Sequence, residues 1–225
     1  MPQIRDMKAL SASGLLALAL FASSATASFA FDSVDVESDV YAWSEAAEPV
    51  AAKATLAQYG PFQVVAPDRA ELNGSIESDT PGQFAAMLRA YPAIRKIDMV
   101  DCPGTGDDEA NLSLARMIRK AGIATYVPNG GSVRSGGVEL FLAGAKRSAA
   151  PEAEFAVHSW VDEDGMEPDD FAESDPVNRE YVAYYREMGM SPENAKAFYA
   201  LTNSVPHDDV LYLKPRDIAA YLPLD

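Results

Sequence analysis

The sequence predicts an α/β fold, a single domain with a mostly parallel sheet and covering helices. Short apolar runs of strand length alternate with amphipathic stretches at helical spacing across the middle of the chain. Proline and glycine punctuate most of the junctions between them. The 198 residues that follow an export-like start, out of 225, suit one hydrophobic core.

The first 27 residues are read as a cleavable signal peptide. Arg5 and Lys8 give a positive start, residues 10–22 (LSASGLLALALFA) form an uncharged apolar run, and Ala25-Thr26-Ala27 supplies a small-x-small cleavage pattern. The run is shorter than the roughly 20 apolar residues that span a bilayer. No later segment is long and apolar enough to act as an anchor. The expectation is an exported protein, periplasmic or secreted, with no membrane anchor after cleavage. Residues 28–60 are acidic and alanine-rich with weak periodicity, as in a flexible leader, and the domain is expected over 61–225.

Within the domain, β-like runs occupy 62–65 and 70–76, and Thr80-Pro81 opens a helix that Pro92 ends near Tyr91. The segment 94–101 (IRKIDMVD) alternates and then turns apolar, as a strand does. A loop, CPGTG at 102–106, leads to Asp107 and Asp108, which are placed to cap the next helix. Leu112, Leu114, Ala115, Ile118 and Ala121 give that helix one apolar face, and Gly122 stops it. A strand at 123–127, a turn at Asn129-Gly130-Gly131, a short apolar helix at 136–145 and a strand at 155–158 follow. Helices are predicted over 176–188 and 192–202, then an extended piece at 210–213 and a final helical turn. Between them, 162–175 (DEDGMEPDDFAESD) is a carboxylate-rich surface loop. Its Asp162, Asp164 and Glu167 lack the ligand spacing of a calcium loop.

Composition removes several classes of function. The formal charge is −16, so phosphate backbones and anionic lipid surfaces are repelled and no nucleic-acid partner is expected. Cys102 is the single cysteine and follows an apolar strand, which points to a buried structural thiol; one thiol closes no intrachain bridge. His158 and His207 are the only histidines and no Cys/His ligand cluster exists, so no metal site is expected.

In open α/β sheets, reactive groups gather at the C-terminal ends of strands and at helix N-termini. Pro103-Gly104-Thr105, Ser135-Gly136-Gly137 and His158 stand at such places. Serine before two glycines at a helix start is commonly a cap. It also suits a nucleophile whose following N–H groups approach an oxyanion. His158 is suited to take a proton near neutral pH, or to be an ordinary polar residue at a strand end.

Residues 97–160 resemble the Clp proteolytic subunit and its relatives in the crotonase-like superfamily. IDMVDCPGTG (97–106) is similar to the family's strand and glycine turn, and LARMIRKAGIATYV (114–127) to the helix and strand after it. VRSGGVELFLAGAKR (133–147) resembles the nucleophile helix, AEFAVHSW (153–160) the histidine strand, and LYLKPRDIAAYLPLD (211–225) the last segment. The resemblance implies a ClpP/crotonase-like fold and a serine peptidase or hydrolase acting by acyl transfer, with no cofactor. It implies Ser135 as nucleophile, His158 as general base and an acid near 208–209, Asp209 first and Asp208 in reserve. The oxyanion hole would use N–H groups of Gly136 and of Gly104 and Thr105.

Three features depart from the pattern. Thr105 stands where the family has a second glycine, Arg134 and Gly136-Gly137 flank the serine, and the acidic loop lies after the histidine strand. The SGG is also like the nucleophile region of signal-peptide peptidase A, which uses a serine–lysine dyad. The substrate is expected to be a peptide or small acyl compound, and a homo-oligomer is implied by the rings of this fold. An exported relative would have no ATP supply and hence no ATP-driven unfoldase as partner. The other reading is a non-catalytic relative that keeps the fold as an interaction or assembly module.

Overall fold

Strand pairing starts before the first predicted strand. The structure, a computed structural model, describes residues 55–225; the signal peptide and residues 28–54 of the leader lie outside the described part. Strand β1 (Ala57–Tyr59) falls within the segment read as leader. It pairs antiparallel with β2 (Phe62–Ala66), which pairs antiparallel with β3 (Arg69–Asn73). Gly60, with φ 58°, makes the tight turn between the first two. Phe62, Val64, Ala70 and Leu72 alternate inward and are buried.

Helix α1 (Thr80–Ala90) has Pro81 in its first turn, and Phe84 and Met87 pack inward from it. Strand β4 (Lys96–Cys102) then lies parallel to β3. Helix α2 (Asp108–Lys120) starts where the capping pattern places it, with Asp107 accepting the N–H of Ala110 at 2.9 Å. Gly122 ends it at φ 67°. Strand β5 (Ala124–Val127) runs parallel to the N-terminal half of β4.

At this point the sheet forks. The C-terminal end of β4, at Asp101 and Cys102, pairs with a different strand, β6 (Ser132–Arg134). One branch continues from β5 to β7 (Arg147–Ala149), and the other from β6 to β8 (Glu154–Val157), all parallel. The pairing is thus mostly parallel, as the alternation of strands and helices predicts. Strands β6 and β7 were not expected. Each has three residues, and β6 contributes only Val133 to the core, too little for a periodic signal.

Helix α3 (Gly137–Leu142) follows β6 and packs against strands of both branches. All six of its residues are buried, which accounts for a helix apolar nearly all round. Thr125 of β5 donates to the Phe141 carbonyl at 2.7 Å. Phe141 and Phe155 pack ring to ring at 4.9 Å on the other side. Helices α4 (Pro176–Glu187) and α5 (Pro192–Thr202) pack on one another, and β9 (Leu211–Leu213) closes the edge antiparallel to β8. Helix α6 (Pro215–Ala219) finishes the chain. Among the described residues no helix is long and apolar enough to cross a membrane.

Phe155 ties the β6–β8 branch to α3 and is wholly buried. Phe155→Ala is therefore expected to cost about 3–5 kcal/mol of folding stability. The check is urea unfolding, with a lower midpoint at an unchanged slope.

Candidate active site

Ser135 sits between β6 and α3, and its backbone is unusual. It is the one non-glycine residue with positive φ among those described, at 49°. Its N–H continues the sheet ladder by donating to the Ala156 carbonyl at 2.9 Å. Its own carbonyl accepts from Val138 N–H at 2.9 Å in the first turn of α3. The chain passes from strand to helix within two residues, Ser135 and Gly136, and the left-handed conformation is the cost of that turn. Such a turn presents a serine hydroxyl at the end of a sheet.

The glycines around it are there for space. A Cβ on Gly104 would lie 3.0 Å from the Ser135 Cβ, and one on Gly137 would lie 2.7 Å from the Cys102 sulfur. The positive φ of the 103–106 turn falls on Gly104, at 131°, and not on Thr105. Thr105 is extended, bridged to Ile76, so its β-branch carries no penalty where the family has glycine. Gly104 N–H faces the Cys102 sulfur, whereas the N–H groups of Thr105 and Gly136 donate to no group among the described residues. These two remain available to an incoming oxyanion. Cys102 itself is buried, and desolvation pushes its thiol up to about 12, so it is inert at neutral pH. Arg134 turns to Ser132 Oγ at 2.9 Å and to Asp101 at 3.1 Å, bracing β6 against β4.

His158 follows the last residue of β8 and lines the same cleft as Ser135, with no direct hydrogen bond between the two side chains. Its Nδ1 lies 2.8 Å from the Ser159 carbonyl. A carbonyl only accepts, so Nδ1 carries the proton and Nε2 keeps the lone pair that a general base needs. Asp209, the acid expected to hold this nitrogen, is not brought to it. Asp209 is exposed and accepts the N–H of Val210 at 2.7 Å, and Asp208 is exposed beside it. The acceptor at Nδ1 is the main-chain carbonyl of Ser159 instead.

His207 is exposed, at the start of the turn that carries Asp208 and Asp209. Its ring meets His158 edge-to-face at 4.7 Å, and its Nδ1 lies 3.0 Å from the same Ser159 carbonyl. The backbone N–H of His207 donates to Glu167 of the acidic loop at 3.1 Å, so that loop is tied to the rim of the site. That the chain has only two histidines was the one available signal.

The cleft is small, about 50 Å³, and opens to solvent. Its walls are largely polar or aromatic: Asp108 and Asn111 from α2, Glu139 from α3, Tyr181 and Tyr185 from α4, Tyr199 from α5, and Trp160. Glu139 is 6% exposed and accepts the Tyr185 hydroxyl at 2.7 Å. Desolvation raises its carboxyl to about 7, against the hydrogen bond that lowers it. Tyr181 donates to Asp108 at 2.9 Å, and burial pushes the Tyr181 hydroxyl upward, so it stays protonated.

No protein-family model matches the sequence, and no curated protein matches it. Solved structures do match. A ClpP1 mutant from Listeria monocytogenes superposes with a TM-score of 0.50 at 19% identity, over 70% of this chain and 89% of that one. A mutant of the 1510-N membrane-bound stomatin-specific protease in complex with a substrate peptide gives 0.48 at 20%, over 69% and 71%. The 1510-N membrane protease specific for a stomatin homolog from Pyrococcus horikoshii gives 0.46 at 18%, over 69% of each. The chain is thus a ClpP-like relative in fold, α/β with a mostly parallel sheet, as the resemblance in 97–160 implied.

Two outcomes follow from the geometry. Alanine at 135 keeps the left-handed strain and glycine removes it, so Ser135→Gly should be more stable than Ser135→Ala by about 1 kcal/mol in urea unfolding. Glu139 holds its proton to about pH 7 in the folded chain, against 4.5 for the free group. Between these values the folded state binds more protons than the unfolded one, so this contribution is present below 4.5 and is lost as pH rises through about 7. Glu139→Gln should remove a loss on the order of 3 kcal/mol over that window, read from unfolding at a series of pH values.

Proposed function

We propose that this protein is an exported, ATP-independent serine hydrolase that cleaves peptides or small acyl compounds by acyl transfer through Ser135 and His158. The observation that carries this reading is the strand-to-helix turn at Ser135, held left-handed beside a histidine whose lone pair is left on Nε2. Export rests on the signal-peptide pattern of residues 1–27, and an envelope without ATP leaves no role for an unfoldase.

In the first step Ser135 Oγ bonds to the substrate carbonyl carbon and its proton passes to His158 Nε2. The carbonyl π electrons move to oxygen, where the N–H groups of Gly136 and Thr105 meet the charge. The bond to the leaving amine or alkoxide then breaks, and the leaving group takes the proton from His158. Water repeats the sequence on the acyl-serine, releasing the acid and restoring both residues. The Ser159 carbonyl fixes the tautomer throughout, in the place a carboxylate takes in a Ser-His-Asp triad, and His207 packs on the ring that it holds.

A serine-directed fluorophosphonate should label the purified protein at Ser135, as located by peptide mass spectrometry. Ser135→Ala should abolish labelling, His158→Ala should slow it by about a hundredfold or more, and Asp209→Ala should leave its rate unchanged. No labelling between pH 6 and 9 would sink the enzyme reading and leave the interaction or assembly module.

A further inference from the structure

Beside Ser135 the cleft offers acceptors and aromatic faces and hardly any free donors. Glu139 lies one turn along α3 from Ser135, and Asp108 faces the same space from the start of α2. The hydroxyl protons of Tyr185 and Tyr181 are already committed to these two carboxylates. The Trp160 N–H is committed to the Tyr199 hydroxyl at 2.9 Å. Tyr181 and Tyr199 stack at 6.0 Å, and both rings line the cleft.

Asn111 adds an independent sign. Its Nδ2 donates to the Gly136 carbonyl at 2.8 Å, which fixes the orientation of the amide, because a carbonyl cannot donate. Its Oδ1 is therefore the acceptor left over. It is buried, on a residue 2% exposed, and has no hydrogen-bond partner among the described residues. An unpaired buried acceptor costs about 1–3 kcal/mol until a donor reaches it. No lysine or arginine is among the residues that line this space. What it lacks is a positively charged group with several N–H donors.

We infer that the substrates carry a protonated amine or guanidinium on the side chain next to the carbonyl that Ser135 attacks, seated between Glu139, Asp108 and the tyrosine rings. This rests on the reading of Ser135 as nucleophile. A cation satisfies the carboxylates and meets the rings through their negative faces. A neutral chain of the same length brings no donor to the buried Asn111 Oδ1 and no charge to the two carboxylates, and an anionic one is repelled. The groups that face Glu139 are Asp108 from α2, Tyr181, Tyr184 and Tyr185 from α4, Cys102 from β4 and His158 after β8. With its carboxyl raised to about 7, Glu139 is charged more fully at pH 8 than at pH 6, and cation binding should strengthen over that range.

The test is titration calorimetry with Nα-acetyl-lysine amide, Nα-acetyl-arginine amide and the uncharged match Nα-acetyl-norleucine amide. Each is added to the purified protein and to Ser135→Ala, in which turnover plays no part. At least one cationic amide should bind to both at pH 8, and the norleucine amide about tenfold or more weakly. The lysine and arginine arms separate an ammonium from a guanidinium preference. Glu139→Gln should weaken only the cations, by about tenfold, and should remove their loss of affinity between pH 8 and pH 6. Asp108→Asn, at an exposed position, should weaken the cations in the same direction and guards against misfolding of the buried variant. Absence of cation binding, equal binding of norleucine amide, or cation affinity unchanged in both variants overturns the inference. Selective cation binding without fluorophosphonate labelling would keep the cation site and remove the hydrolase; labelling without selectivity would do the reverse.

Discussion

The left-handed backbone at Ser135 is the point on which the site's geometry turns. Its N–H belongs to the sheet, through Ala156, and its carbonyl belongs to the helix, through Val138. Both demands meet in one residue because β4 pairs with β5 along its first half and with β6 at its end, and α3 packs against both branches. A longer connection would let the turn relax and would carry the hydroxyl away from the sheet. The conformation costs about 1–2 kcal/mol for a residue with a Cβ. Burial of Val138, Leu140, Phe141 and Leu142 from α3 offsets this several times over at about 1.5–3 kcal/mol for each large apolar side chain. The strain is held in place by the core.

The same crowding explains the neighbouring residues. Gly104 and Gly137 leave room for Ser135 and Cys102, and the Cys102 thiol is a packing group whose burial removes its reactivity. Thr105 shows how a departure from a family pattern is judged by backbone conformation rather than by residue identity. The turn needs one positive φ, and Gly104 takes it.

Much of this was legible in the sequence, and the illegible parts have physical causes. α2 could be read because it buries one periodic face and announces its ends with Asp107 and Gly122, and β4 and β8 because each buries several apolar residues in a short run. Ser135 and His158 could be proposed from their order and from the segments around them, and they do share a cleft. β6 and β7 were invisible because three residues carry no period. The acceptor for His158 was invisible for a different reason. Any residue has a carbonyl, so no side-chain pattern marks Ser159, and the search for an acid settled on Asp209. His207 reaches the ring because the chain after α5 crosses Ser159, whose N–H donates to Val205 at 3.0 Å. A contact made by a loop far along the chain leaves no local trace.

Replacing a carboxylate by a carbonyl at Nδ1 changes the electrostatics more than the geometry. A carbonyl dipole orients the imidazole as well as a carboxylate does, yet it stabilises an imidazolium less, because the bond lacks a full negative charge. In this cleft the negative charge sits elsewhere, on Asp108 and on Glu139 once it ionises. Burial raises its carboxyl to about 7, so near neutral pH Glu139 is only partly charged until something positive comes near. A substrate cation would supply that charge and drive the proton off Glu139, and the site would become polarised on occupation. The formal charge of −16 works in the same direction at longer range, drawing cations toward the protein before they reach the cleft. Surface charge would then govern encounter, buried charge would govern selection, and the turn at Ser135 would determine where the selected carbonyl is placed.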